Sequence, residues 1–229
     1  MNGLPKGFTV LMMGPPGSGT ELAAKQFAGA GVKDENVVYF TTMERDEEVT
    51  STMEDFGWKS DIEIVNIGNL YYENVLARKL QVSRYRQEGI SVKDLRSEAA
   101  GKSPGQSINF LTSLTYYVSK RKPPFRIVVD SLDFFFEYYA HADVLSALRT
   151  IKAHTQHEEG VALLTMLSGV YDTRTQSGVE EIVDCIVELE RVRHENEFRR
   201  ILVLRKVRNH PEKTGLYEFS ITDQGIVAK

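Results

Sequence analysis

With one cysteine, Cys185, in 229 residues, the chain excludes an intrachain disulfide and any metal site built on several thiolates. That cysteine lies in the apolar run from Ile182 to Val187, where a buried core thiol is expected. Long hydrophobic runs are missing too. No stretch approaches the roughly 18 apolar residues of a membrane span, and Met1 to Gly7 has no long apolar leader segment, so a cytoplasmic location is expected. Positive charge is not in excess: 28 Lys and Arg face 32 Asp and Glu, a formal net charge of −4. Such a surface has no overall attraction to nucleic acid or anionic lipid. HExxH, paired cysteines and a nucleophile elbow are absent, as are internal repeats. The length suffices for one α/β domain over residues 1–229 with a well-buried core.

The apolar runs come in an alternating order. Phe8 to Met13 is a short strand ending in Gly14-Pro15-Pro16-Gly17, followed by a helical stretch from Leu22 to Ala30. Val37 to Phe40 is a second strand, Asp46 to Phe56 an acidic amphipathic helix, and Asp61 to Ile67 a third strand. Residues 69–106 are polar, with Leu70, Leu76 and Leu80 at helical spacing before Ser103-Pro104-Gly105, which predicts a surface helix and a mobile loop inserted in the domain. Ser107 to Lys120 reads as a helix. Phe125 to Asp130 is a buried strand with an acid at its tip, and a further helix and strand end at Thr165. From Ile182 on, strand-like runs near 182–190, 199–206 and 216–221 predict antiparallel hairpins. The expected fold class is therefore α/β, a mostly parallel sheet flanked by helices with C-terminal antiparallel strands.

Gly14, Gly17 and Gly19, with Ser18 between the last two, supply the glycine frame of a phosphate-binding loop between strand and helix. In such a frame, backbone N–H groups and a helix N-terminus point at a phosphate. A glycine-rich turn that serves only packing is the alternative. Read with Gly3-Leu4-Pro5-Lys6-Gly7 before it, and with Asp55-Phe56-Gly57-Trp58, Val128-Val129-Asp130-Ser131-Leu132, Gly178-Val179-Glu180-Glu181 and Leu204 to Arg208 after it, the chain resembles the KaiC-like branch of the RecA-type P-loop ATPases. The closing segment Tyr217 to Ile226 is also similar to that family's ending. The resemblance implies a RecA-like core, ATP or ADP with Mg²⁺ as ligands, and a homo-oligomer that can be a hexamer.

The departure from the family pattern is as informative as the match. Lysine and then Ser or Thr should follow the last loop glycine, whereas this chain has Thr20 and Glu21. The lysine ordinarily contacts the β- and γ-phosphates, and one charge-assisted hydrogen bond of that kind contributes about 1.5–3 kcal/mol. Hydrolysis should suffer more than binding, because charge spreads over the phosphoryl oxygens in the transition state. Lys25 is five residues from Thr20, about 140° around the helix and about 7.5 Å along it, a poor substitute at the loop. Glu21 can serve as a metal ligand or repel the phosphates.

Other roles follow from the resemblance, each with a plainer alternative. Asp130 matches the carboxylate that holds Mg²⁺ through water, or it caps the next turn. Glu44 stands where the family carries the base that activates water, or it serves the dipole of the following helix. Lys206 and Arg208, with His210 after them, match basic residues that reach a neighbouring subunit's γ-phosphate, or they are a solvated edge. Trp58 and the aromatics from Phe134 to Tyr139 are read as packing groups.

Three functions are consistent with this pattern. The first is a nucleotide-responsive regulatory or scaffolding protein that binds ATP weakly or between subunits, hydrolyses it little, and acts on an unidentified regulatory partner. The second is a working ATPase with an unusual loop. The third is a recombinase-like DNA-binding or purely structural protein. The third is the weakest for DNA, because the candidate loop Ser168 to Gly178 holds one Arg and one Asp, poor material for phosphate contacts.

Overall fold

The first strand, β1 (Thr9–Gly14), is buried over nearly its whole length and hydrogen-bonded on both sides. The computed structural model describes residues 3–31, 35–77, 79, 80, 83, 109–195 and 197–229. Around β1 they build one sheet with β2 (Asn36–Thr41), β3 (Glu63–Asn66), β4 (Phe125–Asp130), β5 (Val161–Leu167), β6 (Cys185–His194), β7 (Glu197–Val207), β8 (Gly215–Thr222) and β9 (Gly225–Ala228). The spatial order is β3-β2-β4-β5-β1-β6-β7-β8-β9. Strands β3 to β6 in that order are parallel, and β6 to β9 pair antiparallel. The near-continuous apolar runs of β2, β4 and β5 are explained by burial on both faces, the rule for parallel strands roofed by helices.

Successive side chains divide between the two faces. On one, Leu11, Phe40, Ile127 and Leu164 meet Leu114, Phe135 and Leu148 from helices α4 (Phe110–Ser119), α5 (Asp133–Tyr138) and α6 (His141–His157). On the other, Val10, Tyr39, Val128 and Leu163 meet Ala24 and Ala28 of α1 (Thr20–Gly29) and Val49 and Met53 of α2 (Asp46–Asp55). Small residues on α1 let it lie close to the sheet.

The C-terminal hairpin β8–β9 is fastened to α1 by side chains acting on backbone. The Gln26 amide donates to Ile226 O at 3.1 Å and accepts from Ile226 N at 2.8 Å, and the Trp58 indole N–H donates to Gln224 O at 3.3 Å. Trp58 also stacks on Phe56, so it packs between elements. Gly225, at φ 103, lies so close that a Cβ there would stand 2.3 Å from the indole.

Two local expectations are corrected. Thr173–Ile182 forms helix α7, so most of the segment read as a DNA-type loop is helical; the Asp172 carboxylate caps it by accepting from Thr175 N at 2.7 Å. The strand near 182–190 begins only at Cys185, and β9 adds a strand. Ile67–Tyr71 (α3) continues as a π turn over Tyr72–Leu76, and Leu70 packs on the core while Leu80 is exposed. The mobile loop expected up to residue 106 lies outside the described residues. Cys185 is buried, and its thiol is pushed up to about 11 by burial first and then by the Asp184 charge. No helix among the described residues is long and apolar enough to cross a membrane.

Candidate functional site

The loop after β1 has the backbone of a phosphate cradle. Gly17 and Gly19 adopt φ of 77° and 104°, a region that side-chain-bearing residues rarely enter. Gly14 permits the closest approach: a Cβ there would stand 2.2 Å from Ser18 Oγ and 2.8 Å from Leu189 O. Helix α1 starts at Thr20 with no side chain capping it. Its first-turn N–H groups are therefore left for something else to satisfy. Ser18 Oγ is buried without a partner, an orphaned polar atom that a phosphate oxygen would satisfy. Sterically the cradle fits a phosphate, but Thr20 brings no charge to it.

Beside the loop, at the C-terminal ends of β2, β4 and β5, opens a cleft of about 740 Å³. Thr20, Glu21, Glu44 and Asp130 line it, as do Asp133 and Glu137. Parallel strands put a ligand crevice at this end of a sheet. Glu21, on the first turn of α1, thus faces the same space as Glu44 and Asp130. Among the described residues no group of three or more His, Cys, Asp or Glu side chains is arranged to hold a metal ion. Any Mg²⁺ here would need phosphate oxygens and water for most of its ligands.

Asp130 is held rigidly. Its Oδ2 accepts from the Tyr39 hydroxyl and its Oδ1 from the Thr165 hydroxyl, both at 2.6 Å, and its backbone O accepts from Thr42 N at 2.9 Å. The carboxylate caps no helix; Leu132 occupies the N-cap of α5. Burial, and then the Asp130 charge, hold the Tyr39 phenol well above its ordinary value, so it remains a donor.

Glu44 has the partner that the sequence reading did not foresee. Counted from Thr20, Lys25 turns away from the loop; counted from Glu21 it is four residues on and on the same helix face. Its ammonium, on a side chain only 3% exposed, sits 2.9 Å from Glu44 Oε1 and 2.7 Å from Oε2. Lys25 therefore stands behind Glu44, between it and the core, and not beside the loop glycines. Thr41 and Asn66 fix the Glu44 backbone through hydrogen bonds at 3.1 Å. Removing the carboxylate strands a buried ammonium. Glu44→Gln is expected to cost about 2–4 kcal/mol in urea unfolding, and Lys25→Met on that background should restore at least half of it.

Lys206 and Arg208 lie at the other end of the sheet. Val207 pairs with Cys185, and Cys185 with Val10 at the start of β1, a strand's length from the loop. The Lys206 ammonium donates to Glu180 O and Val183 O, each at 2.7 Å, at the end of α7. Desolvation first, then the neighbouring Arg208 charge, push it below its ordinary value. Arg208 Nε pairs with Asp184 Oδ1 at 3.0 Å, and the guanidinium is part-exposed. The buried Asp184 also binds the Lys152 ammonium and accepts from Thr9 N. The His210 imidazole sits 3.0 Å from the Glu212 carboxylate, part-exposed at the surface.

Comparison with known proteins agrees with this geometry. The family model described as KaiC ATPase matches residues 1–229. The circadian clock oscillator protein KaiC of Nostoc is 27% identical over 236 residues, covering 98% of this chain and 40% of the relative. That of Synechococcus elongatus is 26% identical over 231 residues with the same coverage. The chain thus spans about 40% of the length of these relatives. The crystal structure of a KaiC-like protein from Pyrococcus horikoshii superposes with a TM-score of 0.67 at 20% identity, over the whole of this chain and 92% of that one.

Proposed function

This chain belongs to the KaiC ATPase family, and we propose that within it the protein is a nucleotide-responsive regulatory or scaffolding subunit. It holds ATP or ADP weakly, at a site shared between copies, with little or no hydrolysis. One observation carries the reading: the cradle from Gly14 to Gly19 keeps its left-handed glycines and open helix N-terminus, while the position of its cation is filled by Thr20.

Nucleotide phosphates would be held by the loop N–H groups and Ser18, and Mg²⁺, which neutralises phosphate charge when bound, by Asp130 with Glu21 as a second oxygen donor. Glu44 is the residue set to orient a water. The Lys25 ammonium holds its carboxylate in place and leaves it less free to turn toward a water, which supports slow turnover. Lys206 and Arg208, with His210 after them, lie at the end of β7 that faces the start of β1, a strand's length from their own loop, so contact with phosphate requires a second copy. That favours a homo-oligomer, a hexamer being the family form. Recombinase-like DNA binding finds less support, since α7 occupies most of the loop it would need.

The reading is tested by titrating fluorescent ATP with Mg²⁺ into concentrated protein while phosphate release is followed. Expected are a dissociation constant in the high micromolar to millimolar range, tightening with protein concentration, and release near background. No binding at millimolar nucleotide rejects the proposal; brisk Mg²⁺-dependent release favours the working ATPase.

A further inference from the structure

We propose that Arg191 is a phosphate ligand that supplies, from the neighbouring strand, the cation missing at Thr20. The inference rests on the reading that the loop binds nucleotide.

Strand β6 pairs with β1 as far as Met13 and Glu188, then runs on to His194 where β1 turns into the loop. The continuation flanks the loop. Leu189 is buried against Ala23 of α1, so Arg191, two residues on, faces the same side of the sheet just beyond the N-terminus of that helix. Its Nη1 lies 3.7 Å from where a Cβ on Gly17 would stand. The guanidinium stacks on Phe198, Cζ 4.3 Å from the ring centroid, which orients the group while leaving its N–H edge available.

Charge around it is uncompensated. Among the described residues no carboxylate pairs with Arg191, and directly opposite it on β7 stands Arg200, whose Nε is buried without an acceptor. Like charges facing each other across a ladder are unfavourable unless an anion joins them. The carboxylates Glu21 and Glu44 line the cleft on the other flank of the loop, so the positive pair is the attractive side for a polyphosphate. Arginine suits this task, because its planar fork binds two phosphate oxygens at once. The ligand class is a nucleoside di- or triphosphate, gripped through its phosphates.

The test is calorimetric titration of Mg²⁺-ATP into the full chain and its variants, with circular dichroism to verify folding. Arg191→Gln is expected to weaken binding about 10-fold or more, and Arg191→Lys to fall between it and the unaltered protein. Arg193→Gln, a nearby surface arginine bonded to Glu195 O, should change it less than about 2-fold. Adding Thr20→Lys to Arg191→Gln should recover the affinity. Unaltered binding by Arg191→Gln, or equal losses in Arg191→Gln and Arg193→Gln, overturns this inference while leaving nucleotide binding intact. Absence of binding by the unaltered protein removes both.

Discussion

Thr20→Lys combined with Glu21→Thr is expected to tighten Mg²⁺-ATP binding by about 10- to 100-fold, measured by calorimetry on the purified chain. The new lysine adds one charge-assisted hydrogen bond, about 1.5–3 kcal/mol, and the second change removes a carboxylate that faces the same cleft. The surrounding backbone needs no remodelling, since Gly17 and Gly19 already hold the left-handed turns and α1 starts at residue 20. Phosphate release should rise less than affinity does, because Glu44 stays paired with Lys25. An unchanged dissociation constant would show that the missing lysine is not what limits binding.

Asp184→Ala is the substitution expected to cost most in stability, about 3–5 kcal/mol. The side chain is 2% exposed, and its carboxylate neutralises Lys152, pairs with Arg208 and accepts from Thr9 N. Truncation leaves a buried ammonium and a backbone donor without partners. Urea unfolding should report the loss, and Lys152→Met on the same background should return about half by removing the stranded charge. A loss below about 1 kcal/mol would mean that water replaces the carboxylate.

The layout of the sheet was legible because its signals are local: apolar runs of strand length, glycines at the β1–α1 turn, an acid at the tip of β4. The resemblance supplied the family on the same residues. Elements at the margins were less so. Thr173–Ile182 is polar on most positions, with only Val179 and Ile182 buried, so its helical period was weak and the cap at Asp172 was the available signal. Strand β9 has four residues, too few for alternation to register. In the candidate site, Glu21, Glu44 and Asp130 were named from position in the chain and meet around one cleft. The places of two nearby cations were not legible, for a different reason. Lys25 meets Glu44 from a helix turn and Arg191 lies beside Gly17 on a strand extension, and such approaches depend on how elements pack, which spacing along one element does not encode.

The bonding of β1 has a mechanical consequence. At about 3.3 Å per residue its six residues span about 20 Å, from Thr9 N, held by Asp184, to Gly14 at the mouth of the loop. Hydrogen-bonded to β5 and β6 on either side, the strand is a strut that neither stretches nor bends readily. The carboxylate gripping its lower end also grips Arg208. Wherever copies assemble so that Arg208 meets the next phosphate loop, each strut has its own ligand at one end and its neighbour's at the other. A shift at one ligand is then passed on as displacement of a rigid rod, with no rearrangement of the core in between.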